Sequence, residues 1–206
     1  PIPTGLLRKC KEELLPVITH IVNLSLGTSV MPADLKEALV TPLLKKVILN
    51  SEIFKNYRPV SNLAFISKLI EKVVLKRFHN HMEENCLNEL MQSAYKQFHS
   101  TETALTRVQN DILDALDTHG AAVLVLLDLS AAFDTIDHKI LLKRLEEDMG
   151  VSGAALAWFA LYLRGCTQAV IIDGVKSEKL TLEFGVPQGS VLGPYLFVTY
   201  TRPLGD

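Results

Sequence analysis

Several features that define whole classes of protein are scarce or missing in this sequence. It has only three cysteines among 206 residues, Cys10, Cys86 and Cys166, and none of them forms a CxxC motif. This cysteine usage argues against a disulfide framework or a zinc site, and it predicts reduced thiols with no disulfide partner. No apolar run approaches the roughly 20 residues that a membrane-spanning helix needs, so we expect no membrane partner.

The sequence also lacks a basic leader followed by an apolar stretch near its start, which predicts a non-secreted protein in the cytoplasm and nucleus. Hydrophobic residues make up 48% of the chain, enough for a folded core. The net charge of −2 argues weakly against a nucleic-acid partner. Residues 1–60 are nevertheless net basic and residues 61–206 net acidic. This asymmetry is expected of a protein that binds a polyanion through its first part, but it also occurs on ordinary solvent-exposed surfaces.

The periodicity of apolar residues predicts an α+β fold. Helical spacing predicts strong helices over residues 61–80, with Ser61 as N-cap, and over 101–116, with capping residues from Ser100 to Thr103. Further helices are expected over 138–149, 151–164 and after the glycine-rich stretch 185–193.

The strand signals are fewer. The Val- and Leu-rich run AAVLVLLDL (121–129) predicts a fully buried central strand. The run LVTPLLKK (39–46) predicts an edge strand, because Pro42 cannot donate to a ladder. Asp173-Gly174 predicts the turn of a β-hairpin.

The stretch LLDLSAAFDTID (126–137) places three aspartates at the end of the apolar run. Asp137 fits the N-cap of the next helix, and Asp134 fits a turn residue. Asp128 directly follows Leu127 at the end of the predicted strand, where a carboxylate is costly unless it has a partner. A divalent cation, which prefers oxygen ligands, would be such a partner.

A second stretch, GVPQGSVLGP (185–194), predicts a tight turn at the end of a strand and before a helix. Its glycines and Pro187 fit a purely structural turn. They also fit a turn whose exposed amides and Gln188 side chain contact a flat or anionic ligand.

Five blocks in order give a resemblance to a known family. LLDLSAAFDTIDH followed by GVPQGSVLGPYLF resembles the reverse transcriptases of non-LTR (LINE-type) retrotransposons. Upstream, VTPLLKK (40–46), NYRPVSNLAFISKLIEKVV (56–74) and QSAYKQFHSTETAL (92–105) resemble successive blocks of that family. The third block has Ala94-Tyr95-Lys96 where the family commonly has Gly-Phe-Arg.

The resemblance implies a right-hand polymerase fold within the α+β class, with helical fingers, a partial antiparallel palm sheet and no thumb. It divides the chain into an N-terminal helical extension (1–30), fingers (31–120) and a partial palm (121–206). The family synthesises DNA on an RNA template, so the implied partners are an RNA template, a DNA primer and a deoxynucleoside triphosphate.

The resemblance also implies roles for particular residues. Asp128 corresponds to the first catalytic aspartate, and with the backbone carbonyl of Leu129 it would help to hold two Mg²⁺ ions in the family's mechanism. The implied nucleotide-binding residues are Lys45 or Lys46, Arg58, Phe133 as the steric gate under the sugar, Gln188 and Gly189.

The family's Asp-Asp motif, which supplies further metal ligands, does not follow before Asp206. We therefore expect a fragment truncated before that motif, inactive by itself because one carboxylate and one carbonyl are a poor cage for two Mg²⁺ ions. Two other interpretations stay open at this point. One is a non-catalytic nucleic-acid-binding or interaction protein retained by a host, and the other is an unrelated metal-dependent enzyme.

Overall fold

The structure is a computed structural model that describes residues 4–129 and 131–205. Ser130 and Asp206 lie outside the described residues. No helix of the described part is both long and apolar enough to cross a membrane.

Seven α-helices, five strands and three short 3-10 helices make up the regular structure of the described residues. The helices are α1 (Thr4–Lys9), α2 (Lys11–Thr28), α3 (Phe65–Glu84), α4 (Thr101–His119), α5 (His138–Glu147), α6 (Gly153–Leu163) and α7 (Gly193–Thr201). The strands are β1 (Glu37–Leu44), β2 (Tyr57–Asn62), β3 (Thr167–Ile172), β4 (Val175–Lys176) and β5 (Leu180–Thr181).

The sheet is mixed, with the order β2-β1-β3-β4 and with β5 paired to β3. Strand β1 runs antiparallel to β2 and parallel to β3, whereas β3 pairs antiparallel with β4 and β5, so the partial sheet combines antiparallel pairs with one parallel pair. Within β1, Leu39 and Val40 alone pair with strands on both sides, so the prediction of an edge strand over 39–46 is wrong for these two residues. Pairing with β3 ends at Val40, however, so Pro42 lies where β1 has one neighbour only. The missing N–H of Pro42 therefore interrupts no ladder on that side.

The hairpin turn at Asp173-Gly174 is confirmed. Ile172 pairs with Val175, and the two residues between them have φ angles of 50° and 82°. Two successive positive φ values are those of a type I′ turn, which matches the twist of the flanking strands. The Asp-Gly sequence is suited to this turn because both residues tolerate positive φ.

The hydrophobic core lies between the helices. Helix α2 packs on α3 and α6, and α5 packs on α6 and α7. The fully buried members of this core include Ile70, Leu141, Leu145, Leu192 and Leu196. The core thus joins both halves of the sequence into one packed body.

The capping predictions have different outcomes. Asp137 is the N-cap of α5 as predicted, and its carboxylate accepts hydrogen bonds from the Lys139 and Ile140 amides. Ser100 caps α4 in a reciprocal capping box with Thr103, again as predicted. Ser61 is wrong as the N-cap of α3, because β2 continues through Asn62 and the helix begins only at Phe65. The apolar period locates a helix well, but a cap residue can equally belong to a preceding strand.

The predicted central strand over 121–129 is wrong. These residues have no regular secondary structure, and Val123 and Leu126 are 89% and 83% exposed. A strand is buried only when other strands pair with its edges and other elements cover its faces. Among the described residues, no strand pairs with this run and no element covers it, so its apolar side chains are exposed to solvent. The preceding helix α4 likewise buries none of its residues, and its apolar stripe faces outward.

We expect truncation of a side chain in the core to destabilise the protein much more than truncation of a side chain on α4. Leu145→Ala removes a fully buried side chain and should lower the free energy of unfolding by about 2–5 kcal/mol. Leu116→Ala on α4, where the side chain is 43% exposed, is the matched control and should change it by no more than about 0.5 kcal/mol. Urea denaturation of both variants measures the difference, and equal losses would contradict this description of the core.

Candidate active site

The glycine-rich turn at 185–189 packs directly against the aspartate-bearing turn at 133–137. The Val186 amide donates to the Phe133 carbonyl, and the Gly185 amide donates to the Ile136 carbonyl, both at 2.8 Å. A ring nitrogen of His138 lies 2.7 Å from the Gly185 carbonyl oxygen. The two stretches singled out in the sequence are therefore neighbours, although about 50 residues separate them along the chain.

Gly185 makes this close approach possible. Its φ angle is +81°, and a Cβ atom on it would lie 2.8 Å from both the Asp134 Cα and the Phe133 carbonyl oxygen. Both of those atoms belong to the backbone and cannot rotate away. A side chain at this position would therefore push the two turns apart.

The other end of the turn packs against β2. The Ser61 amide donates to the Gln188 carbonyl at 2.8 Å. Gly189 has a φ angle of +126°, and a Cβ atom there would overlap the Ser61 carbonyl oxygen. Gln188 and Gly189, both predicted site residues, are thus fixed by backbone contacts to the strand that also carries Arg58.

These contacts surround a cleft of about 450 Å³. Its lining combines residues of the glycine-rich turn with Ser61 and Pro59 of β2, Asp134, and residues of β1 and β3. Asp134 is partly exposed, and its partial burial raises the pKa of its carboxyl above the ordinary value. The cleft offers a carboxyl, an amide side chain and a hydroxyl to a ligand, beside an apolar wall.

A buried carboxylate holds the far side of the turn. Glu71 of α3 is fully buried, and its Oε2 accepts hydrogen bonds from the amides of Val191, at 2.5 Å, and Leu192, at 3.2 Å. Its Oε1 accepts from the Ser67 hydroxyl at 3.2 Å. The Val191 and Leu192 amides precede α7 and would otherwise lack partners at the start of that helix.

The surroundings of Glu71 are largely apolar. Burial raises the pKa of the Glu71 carboxyl, although the hydrogen bonds from Leu192, Val191 and Ser67 act in the opposite direction. Burial likewise raises the pKa of Tyr162 well above its ordinary value, and the nearby Glu71 charge adds to that effect. Cys166 has its pKa raised to about 11, chiefly by burial.

Asp128 is not part of this cleft. It lies on the exposed segment 121–129, as does Leu129, which is 51% exposed, and neither lines the cleft. The helix-capping role on this motif belongs to Asp137. The structure therefore does not bring the predicted catalytic carboxylate to the glycine-rich turn.

The predicted basic residues lie around the β1–β2 hairpin and outside the cleft. The Lys45 ammonium donates to the Lys55 carbonyl at 2.8 Å, and its amide donates to the Asn56 carbonyl, so Lys45 helps to close the hairpin loop. Lys46 and Arg58 are exposed. Alternation along β2 places Arg58 on the opposite face from Pro59 and Ser61, which line the cleft.

Phe133 is half-buried and packs against Phe197 of α7, with ring centroids 5.4 Å apart. It also contacts the hydrophobic core. In this structure its ring therefore contributes to the packing of α7 and the core.

The residues present do not fit a two-magnesium centre. Within residues 4–129 and 131–205, no group of three or more carboxylate, imidazole or thiol side chains is placed to hold a metal ion. Such a centre needs several oxygen ligands around each ion. Asp128 lies alone on its exposed segment, so no chemical step through a metal follows from this geometry.

Sequence reasoning missed Glu71 and Ser61 as parts of the site. A signal for Glu71 was present, because it falls on the apolar stripe of α3 formed by Ile70, Val74 and Phe78. An acidic residue on the buried face of a helix predicts a specific partner. Nothing in the local sequence identified that partner, which is 120 residues away along the chain.

Comparison with known proteins defines the class first. Residues 44–206 match the family described as "Reverse transcriptase (RNA-dependent DNA polymerase)", which is well over half of the chain. The mixed α/β fold and the meeting of three motif blocks at one cleft agree with this match. The chain belongs to the reverse transcriptase family.

The relatives within that family come from mobile elements. The chain is 29% identical over 198 residues to "RNA-directed DNA polymerase from mobile element jockey" of Drosophila funebris, covering 96% of this chain and 21% of that protein. It is 28% identical to "Probable RNA-directed DNA polymerase from transposon X-element" of Drosophila melanogaster, covering 96% and 22%. For the protein "from transposon BS" of the same species the identity is 29% over 207 residues, covering 97% and 22%.

The sequence is therefore a reverse transcriptase domain of the non-LTR (LINE-type) retrotransposon class, as its motifs indicated. It spans about a fifth of the length of these curated relatives. Family membership does not favour the alternative of a host-retained binding protein, and it overturns the interpretation as an unrelated metal-dependent enzyme.

We expect Gly189→Ala to destabilise the protein by about 1–3 kcal/mol, because the added Cβ overlaps the Ser61 carbonyl at a φ that L-residues rarely adopt. Gly27→Ala in α2 is the matched control, since a Cβ there meets nothing within 4 Å. It should be neutral or stabilise by up to about 1 kcal/mol. Thermal denaturation of both variants makes the comparison, and a neutral Gly189→Ala would contradict the close packing of the turn.

We also expect Glu71 to make stability depend on pH. Because burial raises its pKa in the folded state, the stability it contributes is full below its ordinary pKa of 4.5 and is lost as the pH rises through the folded value. Glu71→Gln removes this titration, so the variant should gain on the wild type as the pH rises from 4 toward neutral. Denaturant unfolding from about pH 4 to 7 measures this.

Glu84→Gln, at an exposed position at the end of the same helix, is the control for that titration. It should follow the wild-type curve. Parallel curves for Glu71→Gln and wild type would show that the folded and unfolded pKa values of Glu71 do not differ.

Proposed function

We propose that this chain contributes the fingers and the nucleotide-facing turn of an enzyme that synthesises DNA on an RNA template. The observation that supports this most directly is the docking of the Gly185–Gly189 turn on both the Phe133–Ile136 backbone and Ser61. Three separated blocks of the reverse transcriptase pattern thereby meet at one cleft. The whole enzyme's substrates, namely an RNA template, a DNA primer and a deoxynucleoside triphosphate, are part of this proposal.

The proposed division of the chain follows the right-hand polymerase pattern. Residues 1–30 are assigned to an N-terminal extension whose described part contains α1 and α2, residues 31–120 to the fingers and residues 121–206 to part of the palm. Strands β1 and β3 pair across the proposed boundary, and α2 and α3 share a core with α5, α6 and α7. Fingers and palm are thus proposed as functional regions that share one core.

The residues proposed to contact the nucleotide form two groups, one at the cleft and one near the β1–β2 hairpin. Gln188 lines the cleft and Gly189 follows it in the turn, and both are proposed to position the incoming nucleotide against the template base. Lys46 and Arg58 lie outside the cleft, and they are proposed contacts of the triphosphate on the evidence of their motif blocks and as exposed cations, whose charge-assisted bonds to phosphate are strong. Lys46 is favoured over Lys45, whose ammonium already binds a backbone carbonyl. Phe133 keeps its proposed role as the steric gate.

Asp128 and the carbonyl of Leu129 remain the proposed metal-binding groups on the evidence of their motif alone. The reverse transcriptase family uses Mg²⁺ in catalysis. The described residues do not assemble a magnesium centre around these two groups, so their proposed role rests on the motif and not on the geometry. The cytoplasmic and nuclear location likewise stays a prediction from the sequence.

Binding of a fluorescent dTTP analogue and of a poly(rA)/oligo(dT) heteroduplex by the purified chain tests the proposal. We expect both to bind at low salt. Arg58→Ala should weaken dTTP binding by about tenfold, since one charge-assisted contact to phosphate contributes about 1.5–3 kcal/mol. Gln188→Ala should weaken it as well.

Lys143→Ala is the matched control for charge, because Lys143 is exposed on α5 and forms only a surface pair with Glu147. It should leave dTTP binding unchanged. A wild-type chain that binds neither ligand at low salt would overturn the proposed function, as would equal losses for Lys143→Ala and Arg58→Ala.

A further inference from the structure

We propose that Glu71 is the positioning residue of the glycine-rich turn, holding Gln188 and Gly189 where an incoming nucleotide would meet them. That the turn binds a nucleotide rests on the proposed function. That Glu71 holds the turn in place rests on the geometry alone. Glu71 lies on the helix α3, outside both of the motifs that form the turn.

The burial of Glu71 needs a specific compensation. It is fully buried in a 20-residue helix, among Ile70, Val74 and other core residues. A carboxyl removed from water is costly unless hydrogen bonds replace its hydration. The helix would be more stable with an apolar residue of similar volume if the carboxyl had no structural task.

The backbone amides that donate to Glu71 both lie at the start of α7. Oε2 accepts from the amides of Val191 and Leu192, and the Ser190 hydroxyl accepts from the amide of Gly193 at 2.9 Å. Three successive amides at the start of α7 are therefore paired by two side chains. This arrangement fixes where α7 begins, at Gly193, which is four residues after Gly189.

The segment 61–71, which runs from β2 into α3, consequently holds the glycine-rich turn at two points. Ser61 of β2 binds the Gln188 carbonyl through its amide, and Glu71 of α3 binds the amides that follow Ser190. Within the turn, the Ser190 amide closes onto the Pro187 carbonyl at 3.0 Å. Gln188 and Gly189 thus lie between two anchors, and removing one anchor should free the turn to move.

A purely structural role for Glu71 has a different signature. If it only filled the core, its loss would loosen α5 and α6 as well as the turn. If it positions the turn, the loss should be local, and a residue that preserves its hydrogen bonds should restore the turn. Gln is such a residue, because its oxygen can accept both amides while its NH₂ group donates to the Ser67 hydroxyl.

The test is amide hydrogen exchange, resolved along the purified chain, for Glu71→Met, Glu71→Gln and the wild type. We expect the amides of 188–192 to exchange about tenfold or more faster in Glu71→Met, since two charge-assisted hydrogen bonds are lost there. Exchange in α5 and α6 should stay close to wild type. Glu71→Gln should restore the turn, and Glu84→Met is the control at an exposed site of the same helix.

Binding of the fluorescent dTTP analogue gives the second readout. It should weaken in Glu71→Met and recover in Glu71→Gln. If Glu71→Met does not fold, Ser67→Ala, which removes only the hydroxyl that binds Oε1, should give a smaller increase in exchange confined to the same amides.

Unchanged exchange of the turn in Glu71→Met would overturn the inference. So would faster exchange throughout α5 and α6, or a failure of Gln to restore the turn. A wild-type chain that binds no dTTP would overturn the proposed function instead, and the exchange data would still decide the role of Glu71.

Discussion

The contact between the Glu71 carboxylate and the Val191 and Leu192 amides is the interaction on which the geometry of the cleft depends. It joins α3 to the start of α7 through a group whose burial is unfavourable by itself. With its hydrogen bonds in place, that group specifies one arrangement of the two helices. A purely apolar contact would allow them to slide, because hydrophobic packing has little directional preference.

The second constraint is the absence of side chains at Gly185 and Gly189. Each glycine has a positive φ, and each has backbone atoms of another segment where its Cβ would be. These contacts bring the carbonyls of Phe133 and Ile136 within hydrogen-bond distance of the turn and place Ser61 against Gln188. The glycines therefore join three segments at one cleft. In this structure the motif packs against its neighbours through its backbone.

The exposed segment 121–129 contrasts with this well-packed region. It carries Asp128, the residue that the family pattern associates with metal binding, yet its apolar side chains are in solvent. The helix before it, α4, shares this exposure. The cleft is therefore well packed, with its turn held by contacts on two sides. The apolar stretch 121–129, in contrast, is covered by nothing among the described residues. For that reason the cleft and the predicted catalytic carboxylate are separate in this structure.

The sequence by itself determined what depends on neighbours along the chain. The caps at Asp137 and Ser100, the type I′ turn at Asp173-Gly174 and the helices follow from local hydrogen bonds and from apolar periodicity. The order of the five motif blocks was likewise sufficient to identify the family.

Only the tertiary structure decided which distant segments meet. The partner of Glu71, the place of Ser61 in a strand, the parallel pairing of β1 with β3 and the exposure of 121–129 depend on contacts between residues far apart in sequence. An apolar run has the same pattern whether or not other strands pair with it, and a buried carboxylate gives no local sign of its donors. Burial and hydrogen-bond partners are properties of the packed chain, so local patterns could not determine them.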